Sequence, residues 1–267
     1  MTSHTPVRPP ITPHGRMATL AWTLALSAAA ACAPTVPAGT TAQAPAPAAK
    51  TDTVYGALRW TRASAEHRVL YLQVYRAADS ALATRSAGHA AGTWGVILDA
   101  DETILDNSLY ELERLRAGLP YTNASWNAWV LRGAAPALPG AVAFTQRVRA
   151  LGGRVVIVTN RDDSVCDATR ENLRRDQVPF DQVICKAAGS PDDKNPRFRA
   201  VQRGVAPSTL PPVDVVMWVG DNIQDFPGGS QALRSPSAAD SLLSNFGASW
   251  FLLPNALYGS WQANPVP

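Results

Sequence analysis

The sequence predicts an α/β fold in which a parallel sheet is flanked by helices. Three observations lead there. Short runs that are apolar throughout recur between residues 94 and 253, helical segments separate them, and acidic or hydroxyl residues stand directly after them. Continuously apolar runs suit strands buried on both faces. Strand–helix–strand repetition implies parallel pairing with helices on both sides. The predicted strands are 94–98, 154–158, 182–185, 214–219 and 249–253. The first predicted helix, 64–85, is amphipathic, with Val69, Leu72, Tyr75 and Leu82 at helical spacing. Further helices are predicted over 139–151, 164–176 and 195–204, and residues 107–138 form a cap-like insertion after the first strand.

The start of the chain reads as an address. Residues 1–16 carry Arg8 and Arg16 and no acid, and the run MATLAWTLALSAAAA follows. That run is shorter than the ~20 residues that span a bilayer. A basic start, a short apolar stretch and small residues before a break read as a signal peptide over 1–31. Cys32 follows three alanines and resembles the bacterial lipoprotein cleavage site, although Ala29 stands where that site prefers Leu. Lipidation of Cys32 is expected, with ordinary signal cleavage near the same alanines as the alternative. Residues 32–53 are rich in Pro, Ala, Thr and Gly and lack periodicity, so they read as a tether. The expected domain is 54–267, placed extracytoplasmically and held off a membrane surface by the tether. An exported domain permits a disulfide between Cys166 and Cys185; buried free thiols are the alternative.

Composition excludes several functions. Of 267 residues, 24 are basic and 21 acidic, with no block of like charge, so nucleic acid is not an expected partner. There is no CxxC pair and no HExxH, GxSxG or Walker loop.

Ligands of open parallel sheets bind at the carboxyl ends of the strands. Those ends carry Asp99 and Asp101, then Thr159 and Asn160, then Asp221 and Asp225, with Lys194 between the last two. Four aspartates brought together would repel one another and raise their pKa values. A hard cation such as Mg²⁺, which takes carboxylate, carbonyl, water and phosphate oxygens, resolves this. One carboxylate could then attack phosphorus, and a second, two residues on, could carry the proton to and from the leaving oxygen. Thr159 and nearby N–H groups suit phosphate oxygens, and Lys194 offers a cation against the transferred charge. The chain has only three lysines, and Lys186 competes for that role.

The string ILDADETILDNSLY closely resembles the first motif of the haloacid dehalogenase-like phosphatases, and more narrowly the class C bacterial acid phosphatases. The likeness continues through Trp126, Trp129, VTNRDDS (158–164), DKNPRF (193–198), VGDNIQDF (219–226) and LPNALYGSW (253–261). It implies a Rossmannoid parallel sheet with a small helical cap and an Mg²⁺-dependent acid phosphatase acting on small phosphomonoesters, nucleoside monophosphates among them. It further implies Asp99 as nucleophile, Asp101 as acid/base and, through its backbone carbonyl, metal ligand, and Thr159 and Asn160 as phosphate binders. Lys194 matches the third-motif lysine. Asp221 matches a metal ligand with Asp225 in support, a cap of the Phe226-Pro227 turn being the alternative for Asp225. Tyr258 matches a residue that stacks on an aromatic substrate, with a buried core tyrosine as the alternative. Similar proteins are often homodimers, and many are outer-membrane lipoproteins, which implies that location, with the periplasm as the alternative. The departures are Ala100 and Leu109, neither a chemical group in the mechanism. Two other functions share these residues: a phosphotransferase on the same fold, and a surface lipoprotein that binds a nucleotide or cofactor with little turnover. Asp106 and Asn107 are expected to hold the loop after the first motif. Trp126 and Trp129 are expected either to pack or to roof the site.

Overall fold

The computed structural model describes residues 48–238 and 240–266. The signal segment 1–31, Cys32 and the tether up to residue 47 lie outside the described residues. Five parallel strands form one sheet in the order β3-β2-β1-β4-β5. They are β1 (Trp94–Leu98), β2 (Arg154–Asp162), β3 (Gln182–Lys186), β4 (Asp214–Gly220) and β5 (Trp250–Leu252). Every residue of β1 is buried. Val96 and Leu98 enter one hydrophobic core, and Ile97 enters the other. That two-sided burial is why the strands read as unbroken apolar runs. Gly95 is required by close approach, since a Cβ there would meet the Arg154 carbonyl oxygen at 2.6 Å.

The helices are α1 (Ala48–Ala63), α2 (Ala65–Arg85), α3 (Ser108–Ala117), α4 (Asn123–Arg132), α5 (Ala141–Ala150), α6 (Cys166–Arg175), α7 (Asn195–Arg203) and the single turn α8 (Asp240–Leu243). Helix α1 opens inside the segment expected to be tether. Its Ala-Ala-Lys start carries no helix breaker. In α2 the expected face holds in part. Tyr75 and Leu82 are buried as expected, but Val69 is 55% exposed, and Tyr71 and Ala78 complete the buried face. Ser64 starts this helix by accepting from His67 N at 3.1 Å.

The insertion holds α3 and α4. Gly118, at φ 64°, ends α3 in the left-handed conformation that glycine adopts cheaply. Cys166 and Cys185 form a disulfide that ties the start of α6 to β3. Among the described residues, no helix is long and apolar enough to cross a membrane.

Candidate active site

The carboxyl ends of β1, β2 and β4 meet at one cleft of about 140 Å³. Asp99 follows β1 directly, and its N–H donates to Val219 O at 3.0 Å, which extends the sheet by one residue. The chain then turns sharply. Ile104 and Leu105 both donate to the Ala100 carbonyl at 2.9 Å, and Glu102 takes a positive φ of 49°. Ala100 is fully buried beneath this turn.

Strand β4 ends at Gly220, and the chain reverses through a short 3-10 turn, Ile223–Asp225. A Cβ at Gly220 would stand 2.3 Å from Asp225 Cβ, so only glycine lets Asp225 fold back onto the strand end. Asp225 closes the turn by accepting from Asn222 N at 2.9 Å through Oδ2. Its Oδ1 accepts from Lys194 Nζ at 2.6 Å. The same ammonium donates to Asp99 Oδ1. Lys194 stands just before α7, so the loop after β3 delivers it. Lys186 lies elsewhere, paired with Asp192 at 2.8 Å.

Asp99, Asp221 and Asp225 each offer an oxygen within 4.8 Å of the others. Three carboxylates against one ammonium leave two negative charges in a buried space. Burial, with Asp225 and Asp101 adding to it against the opposing charge of Lys194, pushes the Asp99 carboxyl up to about 7. Burial, then Asp225 and Asp99, likewise raise Asp221 well above the usual range. Burial alone would lower Lys194, but Asp225 and Asp99 outweigh it and hold the ammonium charged. An all-oxygen, doubly negative set of this kind fits a hard divalent cation. Asp221 is itself anchored, with Thr103 Oγ1 donating to its Oδ1 at 3.1 Å and Asn255 Nδ2 to its Oδ2 at 2.8 Å.

The carboxylate of Asp101 stands apart from this cluster. Its Oδ1 lies 2.8 Å from Arg161 Nη2 and accepts from Asn107 Nδ2 at 2.9 Å. Three of the four expected aspartates are therefore gathered by their side chains. Thr159 is fully buried; its hydroxyl accepts from Arg161 N at 3.1 Å. Asn160 lines the cleft and braces it, donating to Asp192 O at 3.0 Å and accepting from Arg197. Tyr258 lines the cleft, and its buried hydroxyl has no partner among the described residues.

The profile of the HAD superfamily, subfamily IIIB (Acid phosphatase), matches residues 16–261. The chain belongs to that subfamily. Two solved structures of the class C acid phosphatase from Bacillus anthracis, one with tungstate bound, align with the HAD subfamily IIIB chain at a TM-score of 0.69. They are 29% and 28% identical to it and cover 79% of this chain and 87% of theirs. The class C resemblance read from the motifs is borne out by these matches. Acid phosphatase 1 of Solanum lycopersicum is 37% identical over 78 residues. That match covers 29% of this chain and 30% of the tomato relative's length.

Several residues of this subfamily IIIB site escaped sequence reasoning. Asn107 was expected only to hold its loop, yet it reaches Asp101. Arg161, 1% exposed, is the ionic partner of Asp101. Arg197 donates to the Thr159 carbonyl at 2.5 Å and so supports the second motif from α7. Tyr75 Oη donates to Thr103 O at 2.8 Å, and Tyr71 Oη donates to Glu102 O, fixing the turn after β1 from α2. The one local signal was the arginine itself, adjoining the Thr-Asn pair, which lies within β2 because the strand runs on to Asp162 past the predicted end at 158. Trp129 does two things. It is 2% exposed, and its indole N–H donates to Asn107 Oδ1 at 2.8 Å.

Proposed function

We propose that the chain is an exported, Mg²⁺-dependent phosphomonoesterase working through an aspartyl-phosphate on Asp99. The observation that carries this is the buried cluster of Asp99, Asp221, Asp225 and Lys194, with Asp101 two residues beyond Asp99 and outside the cluster. Asp99, Asp221 and the backbone carbonyl of Asp101 would hold the cation, with Asp225 in support. Bound there, Mg²⁺ supplies charge neutralisation that keeps the carboxylates ionised and favours a phosphoryl oxygen.

The chain's own groups do the rest. A carboxylate oxygen of Asp99 bonds to phosphorus, the ester P–O bond breaks, and its electron pair passes to the leaving oxygen, which takes a proton from Asp101. Asp101 then accepts a proton from water as the water oxygen bonds to phosphorus and the bond to Asp99 breaks, releasing phosphate. Lys194, fixed on Asp99 and Asp225, balances charge on the phosphoryl group. Thr159 and Asn160 steady its remaining oxygens. The ring of Tyr258 at the cleft wall offers a stacking face for an aromatic leaving group such as a nucleoside.

The disulfide between Cys166 and Cys185 supports an oxidising compartment. That accords with a signal over 1–31 and an anchor at lipidated Cys32. Purified protein is expected to hydrolyse p-nitrophenyl phosphate, to lose that activity in EDTA, and to regain it with Mg²⁺. Turnover that survives EDTA unchanged contradicts the metal-dependent mechanism.

A further inference from the structure

Asp101 Oδ1 is crowded with donors. Asn107 Nδ2 and Arg161 Nε each donate to it at 2.9 Å, and Arg161 Nη2 lies 2.8 Å away. The two hydrogen bonds fill both lone pairs of that oxygen, and the second guanidinium nitrogen adds charge beside it. No hydrogen bond from the described residues reaches Oδ2, and the side chain lines the cleft. The donors are themselves fixed. Arg161 Nη1 donates to Thr169 Oγ1 at 3.3 Å and Nη2 to Asn107 Oδ1 at 3.2 Å. Asn107 is fully buried. Its Oδ1 also receives the indole N–H of Trp129, and its backbone N–H donates to Glu102 Oε1 at 2.7 Å. Trp129 belongs to α4, so an unbroken series of contacts runs from the insertion to one oxygen of Asp101. The rigid fork of an arginine suits such a bracket, because it fixes orientation as well as charge.

We propose that Arg161 is the positioning residue of the proton-transferring carboxylate. With Asn107, which Trp129 locks from the insertion, it pins Oδ1 of Asp101 and presents Oδ2 alone to the leaving group. This rests on the role of Asp101 given under the proposed function. As the ester P–O bond breaks, its electron pair stays on the leaving oxygen and the proton on Oδ2 passes to that oxygen. Holding the carboxyl near transfer geometry removes the cost of orienting it in the transition state. The benefit depends on the leaving group. An alkoxide must be protonated as it departs, whereas p-nitrophenolate is stable without that proton. Loss of the bracket therefore skews selectivity towards good leaving groups, which a merely structural defect would not do.

The test measures kcat/KM of the full chain, with saturating Mg²⁺, on p-nitrophenyl phosphate and on glycerol 2-phosphate. The variants are Asp101→Asn, Arg161→Gln and Trp129→Phe. Because kcat/KM covers steps only up to departure of the alcohol, hydrolysis of the intermediate does not enter. Arg161→Gln is expected to lose about 10- to 100-fold more on the alkyl ester than on the aryl ester, within the span of general acid catalysis. Trp129→Phe keeps an aromatic ring in place while removing the donor to Asn107 together with part of the ring volume, so a smaller skew in the same direction is expected. It carries the test if Arg161→Gln does not fold. A skew in Asp101→Asn with equal losses on both esters, or none, in the other two variants overturns the positioning role alone. No skew in Asp101→Asn overturns the acid role of Asp101, and the positioning role with it.

Discussion

Asp99 and Asp101 leave the same strand end two residues apart and enter opposite surroundings. Asp99 turns into a space shared with two other carboxylates and one lysine, where charge is left uncompensated. Asp101 turns towards a buried arginine that pairs with one of its oxygens. Adjacent carboxylates acquire different tasks when their environments differ. Here one half of the cleft calls for a cation and the other supplies its own. The sharp turn at Ala100 and Glu102 is what separates them, since both N–H groups at Ile104 and Leu105 close on one carbonyl.

The two halves of the cleft separate most sharply at Lys194. Lys194→Met is expected to cut kcat about 100- to 1000-fold, as loss of a preorganised electrostatic partner does. In EDTA it should also destabilise the fold by about 3–5 kcal/mol, because Asp99 and Asp225 then lie buried without their cation. Saturating Mg²⁺ should return part of that stability, read as Tm by calorimetry.

The arginine half is probed through the disulfide. Thr169, which receives Arg161, sits on the helix that Cys166 opens. The bridge joins residues with a sequence separation of 19, and removing it in Cys166→Ser/Cys185→Ser should cost roughly 3 kcal/mol. Chemical denaturation measures this, and cation binding at the other half should be unchanged in the same variant.

The smallest effect expected is a pH dependence of the cation half. Burial raises the Asp99 carboxyl from its usual 3.8 to about 7 and raises Asp221 as well. The folded chain therefore binds more protons than the unfolded one across that window, and stability falls as pH rises from about 4 to about 7. In EDTA, Tm should drop as pH rises over this range. With Mg²⁺ the drop should vanish, because the cation takes over from the protons.

The fold was largely legible because strands buried on both faces leave continuous apolar runs, and β1 matches its run residue for residue. The phase of α2 was not, because Val69 is apolar yet faces solvent while Tyr71 takes the buried position. The short turns at Gln231–Arg234 and Asp240–Leu243 carry too little periodic signal to be seen. In the site, strand-end position pointed to Asp99 and Asp221, and the DKNPRF string pointed to Lys194. The bracket around Asp101 was invisible because its parts act in pairs: Arg161 and Asp101 are 60 residues apart, and Trp129 and Asn107 are 22 apart. Spacing along a chain does not encode such pairings until the fold is known.

The central claim is that Asp99 becomes covalently phosphorylated while Asp101, on the other half, moves protons. Rapid acid quench of the Asp101→Asn variant during turnover of p-nitrophenyl phosphate, followed by peptide mass spectrometry, tests it most directly. The account predicts one phosphoryl group on the peptide containing Asp99, accumulating because water is no longer activated to release it, and absent when Asp99→Asn is added. A phosphoryl group on another residue, or steady turnover with none trapped at any time, would contradict it.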